Sequence, residues 1–255
     1  MGKLDFKRLI VLRIIGGLGN QLFIYAFGRA LELNHNLEVY FDIYSGFKND
    51  PYKRKYELDN FKTIIKKSSF YDSMFFPLHK RSKLLIKFLF PDSVHVVEDK
   101  YFSIEHLKKK SNQYKNIFLE GYFQKAEHFE NIKSELKKEL ILDKELSETA
   151  NNYLEIIKKN NSVAVHIRLR ERANTNKWNF YIDNISRLKK ELSDPVFFIF
   201  SDDIKFCKEN LKSDNTFIFI ENTVNHIEDF WLMKNCNHFI ISNSTFSWWA
   251  SFLKD

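Results

Sequence analysis

The sequence predicts an α/β protein of two domains built on doubly wound parallel sheets, and two observations carry that prediction. In the C-terminal half, strand-like apolar runs begin at Val163, Val196, Phe217 and Phe239. Helical patterns over 180–192, 204–211 and 227–235 separate them, and another begins near Thr245. Strand–helix alternation at that spacing implies a parallel sheet with right-handed crossovers. In the N-terminal half, a β-forming run over 8–15 leads straight into Gly16-Gly17-Leu18-Gly19-Asn20-Gln21. A helical pattern over 22–33 and a second strand at 38–41 follow, which is the first half of a βαβ unit. A chain of 255 residues is long for one domain and comfortable for two. The expected division is an N-terminal domain over 1–142, a linking helix over 143–161 and a C-terminal domain over 162–255.

The remaining elements follow in order. The stretch 42–59 is polar, aromatic and irregular. Short helices are predicted over 70–76 and 82–90, with Pro77 and Pro91 as stops. The second of these is basic and amphipathic. That suits packing on a core with snorkelling lysines, and it also suits contact with a membrane surface. A strand is expected at 94–97, a helix at 104–110, a strand at 116–120, and charged helices over 126–139 and 144–159.

Composition narrows the function classes. A hydrophobic fraction of 44% with 26 Phe supplies real cores, and only 7 Gly and 4 Pro exclude a fibrous or disordered chain. The formal net charge of +7 favours anionic partners without choosing among them. Lysines are spread along helices and most Phe sit in apolar runs, unlike the interleaved basic and aromatic face of a nucleic-acid binder, so no nucleic-acid partner is expected. Cys207 and Cys236 form no C-x-x-C pair and fall in helical segments, which fits idle buried thiols in a reducing compartment. Arg13 interrupts the first apolar run and no small-residue cleavage site follows, so that run reads as a core strand rather than a signal peptide. No window of about 20 apolar residues is present.

In open α/β sheets, ligands bind beyond the carboxyl ends of the strands. After Val163-Ala164-Val165 come His166, Arg168 and the cluster Arg170-Glu171-Arg172. The second C-terminal strand is followed by Ser201, Asp202 and Asp203, the third by Glu221 and Asn222, and the fourth by Ser242, Asn243, Ser244, Thr245 and Phe246. An arginine, acceptor carboxylates and a hydroxyl-rich helix start on one edge suit a nucleoside diphosphate. Ser-Asp-Asp and Ser-Thr before helices also serve as plain N-caps. At the N-terminal edge, Gly17 and Gly19 let backbone approach a ligand, and Asn20 and Gln21 add polar side chains that a simple turn does not need.

GGLGNQLF at 16–23, HIR at 166–168, FIFSDD at 198–203, WLMKNC at 231–236 and NSTFSWW at 243–249 stand in order along the chain. With these motifs the sequence resembles the bacterial α-1,2-fucosyltransferases of glycosyltransferase family 11. The resemblance implies a GT-B-like fold, two Rossmann-like domains facing a central cleft, with the C-terminal domain cut short at Asp255. It implies inverting, metal-independent transfer of L-fucose from GDP-fucose to the 2-hydroxyl of a galactose-type acceptor in a lipopolysaccharide or O-antigen glycan. GDP-fucose is then a substrate, and neither a cofactor nor a metal is expected. The implied location is cytoplasmic, with peripheral contact at the inner membrane surface as the added option. By motif match, Arg168 grips the β-phosphate and Asn20 faces pyrophosphate and fucose. Asp202 or Asp203 lies near guanosine, and Ser244, Thr245 and Phe246 bind diphosphate. The family reads His-x-Arg-Arg-Gly-Asp where this chain has Leu169, Arg170 and Glu171, a departure that bears on donor and acceptor choice. A base is left open between Glu171, which could also orient Arg168, His166, which could also be a strand-end hydrogen-bonding group, and no strong base at all, if the acceptor proton leaves late in an oxocarbenium-like transition state. The alternatives are a different nucleotide sugar on the same scaffold, or a non-catalytic glycan-binding protein.

Overall fold

The computed structural model describes residues 9–169, 175–211 and 215–254. The chain separates into two compact units, Met1–Asp143 and Lys144–Asp255.

In the first unit, β1 (Leu9–Arg13), β2 (Val39–Asp42), β3 (Ser93–Val97) and β4 (Asn116–Glu120) form a parallel sheet in the order β2-β1-β4-β3. α1 (Leu18–His35) joins β1 to β2. Three short helices, α2 (Phe70–Ser73), α3 (Phe75–Arg81) and α4 (Lys83–Leu89), lead to β3. α5 (Ile104–Gln113) joins β3 to β4, and α6 (Lys133–Glu139) follows.

α1 is buried on nearly every side from Leu18 to Leu31. Gly28 makes this close seat possible, because a Cβ there would come within 2.5 Å of the Phe41 ring and 2.8 Å of Leu12. A helix so enclosed needs its charges paired. Arg29 meets Glu139 of α6 at 2.7 Å, and the Tyr25 hydroxyl donates to the same carboxylate.

Several boundaries differ from the sequence reading: only 133–139 of the helix expected over 126–139 is α-helical, α8 begins at Thr175 rather than at 180, and two further differences have a clear cause. α1 starts at Leu18, not Leu22, because Gly17 takes the N-cap position and its carbonyl accepts from the N–H groups of Asn20 (2.9 Å) and Gln21 (3.0 Å). Pro77 does not stop a helix but lies in the first turn of α3. A missing N–H costs nothing there, since no i−4 carbonyl is waiting for it.

The second unit runs α7 (Glu148–Lys159), β5 (Asn161–Ile167), α8 (Thr175–Glu191), β6 (Pro195–Ser201), α9 (Ile204–Asn210), β7 (Phe217–Phe219), α10 (His226–Asn235), β8 (His238–Ile241) and α11 (Thr245–Phe252). Its parallel sheet has the order β7-β6-β5-β8. Val163, Val165, Phe197 and Ile199 of the central strands are fully buried against Tyr181, Ile185 and Leu188 of α8. The helix read as a link, α7, is packed within this unit. Ser147 caps it by accepting from the Ala150 N–H (3.2 Å), while its own N–H and hydroxyl donate to the buried Glu228 of α10 at 2.7 and 3.0 Å. Cys207 and Cys236 are free and buried, and burial pushes the Cys236 thiol up to about 12.

Candidate active site

The second sheet reverses its strand order between β5 and β8. The chain steps from β5 to β6 to β7 in one direction, then returns through α10 to lay β8 on the other side of β5. Ligands of open α/β sheets bind at such a reversal, beyond the strand carboxyl ends. The register pairs His166 with Ile241 and Ile167 with Ser201, so β5, β6 and β8 end level. Arg168, Asp202 and the segment 242–245 therefore leave the sheet at one edge.

His166 carries the clearest signal there. Its Nδ1 is buried and has no hydrogen-bond partner among the described residues. Burial and then the neighbouring Arg168 charge lower its pKa to about 4 against the opposing pull of Asp202, so the ring is neutral near pH 7. Ser244 stands at the N-cap position of α11, yet its hydroxyl makes no cap, and Oγ is likewise buried without a partner among the described residues. Buried polar atoms are normally paired, so two orphans at one sheet edge call for an explanation. Arg168 is exposed, and no described carboxylate forms an ion pair with it. Asn243 is exposed, Thr245 opens α11 half-buried, and the Phe246 ring packs between His166 (5.8 Å) and Phe230 (5.4 Å). The Phe246 ring thus lays apolar surface against His166.

The acidic pair divides by role. Asp203 is the N-cap of α9, accepting from the Phe206 N–H at 3.0 Å, and the Ser201 hydroxyl accepts from the Asp203 N–H at 3.0 Å. Both are occupied locally, as the cap reading of Ser-Asp-Asp allows. Asp202 stays exposed and accepts from the Leu169 N–H at 2.8 Å, tying the residue after Arg168 to the end of β6. Glu171, with Arg170 and Arg172, lies outside the described residues.

The first sheet reverses between β1 and β4, and the glycine loop sits at that point. Gly16 has φ +82°, and a Cβ on it would lie 2.7 Å from Asn20 Nδ2. Gly17 caps α1 with no side chain, and Gly19 is buried in the first turn. Asn20 is half-buried, and its carbonyl accepts from Gln124 Nε2 at 2.9 Å. Gln21 departs from expectation. It is fully buried, donates to the carbonyls of Gly16 (2.9 Å) and Lys55 (2.8 Å), and accepts from the Glu57 N–H (2.9 Å). Its amide is used on both ends, so Gln21 clamps the glycine loop to the segment 55–57.

The sequence profile of glycosyl transferase family 11 matches residues 9–255. The chain belongs to that family. It is 30% identical to the α-1,2-colitosyltransferase of Escherichia coli, over 97% of this chain and 88% of that protein. It is 25% identical to the O-antigen biosynthesis glycosyltransferase WbnK of Escherichia coli, over 93% and 88% respectively. Among solved structures, the fucosyltransferase NodZ from Bradyrhizobium superposes with a TM-score of 0.59 at 12% identity, covering 97% of this chain and 93% of that one. That likeness shows the fold, and the GT-B-like α/β architecture expected from the motifs is the one observed.

This family 11 glycosyltransferase also holds a cluster that the sequence reading missed. Arg13, at the end of β1, donates to Glu120 at the end of β4 (2.8 Å) and to the hydroxyl and carbonyl of Ser45 (2.8 Å each). His95 lies 3.3 Å and Lys80 3.5 Å from the same carboxylate. His95, then Arg13 and Lys80, hold the Glu120 carboxyl down at about 2 despite its burial. An arginine ending an apolar strand was the available signal. Its partner is 107 residues away, so pairing of β1 with β4 had to be known first.

Proposed function

We propose that this glycosyltransferase moves L-fucose from GDP-fucose to the 2-hydroxyl of a galactose-type unit in an O-antigen-like glycan, with inversion and without a metal ion. The observation that carries the reading is the pair of orphaned buried atoms, His166 Nδ1 and Ser244 Oγ, at the β5/β8 reversal beside Arg168. GDP leaves as a diphosphate with growing negative charge, so catalysis needs donors fixed in advance around the β-phosphate. The Arg168 guanidinium supplies a two-pronged cation. Neutral His166 supplies a ring N–H, and Ser244 and the first N–H groups of α11 supply neutral donors. Asp202 and Asp203 are engaged by backbone N–H groups, which favours arginine over a carboxylate-held metal as the counter-charge.

In the step itself, the acceptor oxygen bonds to the sugar C1 from the face opposite the diphosphate, the C1–O bond to GDP breaks with its electron pair, and the hydroxyl proton departs. With His166 held neutral by a lowered pKa, we assign the proton to Glu171, in the family's aspartate place.

The relative at 30% identity favours a second reading, in which colitose, the 3-deoxy analogue of L-fucose, replaces fucose. Hydrolysis and transfer assays with GDP-fucose and GDP-colitose over a panel of β-galactosides decide between them. Failure of both donors, with UDP-sugars accepted instead, would overturn the family of readings.

Peripheral membrane contact belongs to the same proposal. Among the described residues no helix is long and apolar enough to cross a membrane. Yet on α4 Leu84 is 80% and Phe88 81% exposed, one turn apart. From Ser73 to Pro91 the chain carries Lys80, Arg81, Lys83 and Lys87 and no acidic residue. A basic helix with bare apolar side chains suits an anionic bilayer surface.

A further inference from the structure

A cavity of about 380 Å³ lies within the first unit, between the end of β1, the loop after β2 and the segment α2–α3. Its volume is in the range of about 300–1,000 Å³ that small-molecule sites occupy. Its wall is built rather than incidental. The buried Asp42 accepts from the N–H groups of Tyr44 (2.9 Å) and Ser45 (3.0 Å), which curls the loop. Gly46 then passes so close to the residue after β1 that a Cβ would lie 1.9 Å from the Ile14 carbonyl oxygen. Arg13 pins Ser45 from below through both hydroxyl and carbonyl.

The lining is electrostatically one-sided. Arg13, Lys48, Lys80 and Arg81 contribute to it, and no Asp or Glu does. Glu120 balances Arg13 and Lys80 from behind. Lys48 and Arg81 have no ion-pair partner among the described residues. Tyr44 and Phe70 stand at the rim, 48% and 73% exposed. Aromatic faces suit the C–H face of a sugar ring. Hydroxyls of a neutral sugar also need acceptors, which carboxylates usually supply, and this lining offers mainly donors.

We infer that this cavity is a subsite for an anionic saccharide, a sugar bearing a carboxylate or a phosphate, on the acceptor side of the transferase. The inference rests on the transferase reading for the word acceptor and on the cavity alone for the ligand class. The anion sits between Lys48 and Arg81 while the ring stacks on Tyr44 or Phe70. The glycan to be extended would then carry a sugar acid or a glycosyl phosphate.

The test is calorimetric titration of the full chain with galacturonate, galactose 1-phosphate, inorganic phosphate and methyl β-galactoside. At least one charged sugar is expected to bind ten-fold or more tightly than methyl β-galactoside, and whichever leads identifies carboxylate or phosphate as the source. The double variant Lys48→Glu, Arg81→Glu is expected to lose that preference, and Lys48→Ala, Arg81→Ala to weaken it at least five-fold with an unchanged melting temperature. The charge-matched control Lys138→Glu, Lys158→Glu is expected to keep it. No preference for a charged sugar, an equal loss in the control, or phosphate alone binding as well as galactose 1-phosphate would each overturn the inference. Hydrolysis of the nucleotide sugar without acceptor is read in parallel. Hydrolysis intact with no anion preference removes the cavity inference alone, whereas anion binding intact with no turnover of any donor removes the transferase reading alone.

Discussion

The Leu169 backbone N–H donates to Asp202 at 2.8 Å, and this one bond fixes the chain beyond β5 to the chain beyond β6. Arg168 is the residue immediately before it, so its backbone is held although its side chain reaches solvent. Asp202→Ala is expected to cost about 1 kcal/mol of stability, the typical net worth of such a bond. It should raise the donor KM several-fold with a smaller change in kcat. Unchanged donor KM would place the role of Asp202 elsewhere.

Arg168→Ala removes the main cation proposed for the leaving diphosphate. Loss of one such preorganised donor costs roughly 3–4 kcal/mol in the barrier, a fall of about 10²–10³ in kcat. Circular dichroism and melting temperature should stay at wild-type values, since the guanidinium makes no ion pair among the described residues. Turnover close to wild type would remove Arg168 from the mechanism.

Gln21→Leu should act on the fold, not on donor affinity. It takes the donor away from the Gly16 and Lys55 carbonyls and puts an apolar side chain in the fully buried place of the amide. A loss of about 2–3 kcal/mol is expected. Chemical denaturation measures it, and a variant of normal stability with weakened GDP binding would reverse the assignment.

Two acid windows should separate in a stability–pH curve. His166 falls from 6.5 to about 4 on folding, so the unfolded chain binds its proton first and stability declines as pH drops through that interval. Glu120 falls from 4.5 to about 2, so its contribution is present above 4.5 and is lost as pH drops toward 2. His35, His79 and His128 are also lowered by burial and share the upper window, so His166→Gln should reduce its amplitude, and Glu120→Gln should reduce that of the lower one. Denaturant melts at closely spaced pH values check both, and an upper window of unchanged amplitude in His166→Gln would contradict the assignment.

Leu84→Glu with Phe88→Glu should abolish sedimentation with vesicles rich in anionic lipid while leaving donor hydrolysis in solution unchanged. Binding that persists in the double variant would move any membrane contact away from α4.

The two parallel sheets were legible in the residues alone, because buried strands declare themselves as short β-branched and aromatic runs and the helices between them as 3.6-residue patterns. The same runs showed which residues end the strands, and hence that His166, Arg168, Asp202 and Ser244 share an edge. What those side chains meet there depends on the folded packing. Asn20 and Gln21 are neighbouring carboxamides, yet Gln21 is clamped inside while Asn20 is half-buried and meets Gln124, because helical residues 100° apart look in different directions. Asp203 caps a helix while Asp202 joins two strand ends for the same reason of orientation. The Arg13–Glu120 pair and the cationic cavity beside it were invisible for a different reason: their partners lie far apart in the chain and meet only when the strand order β2-β1-β4-β3 is set.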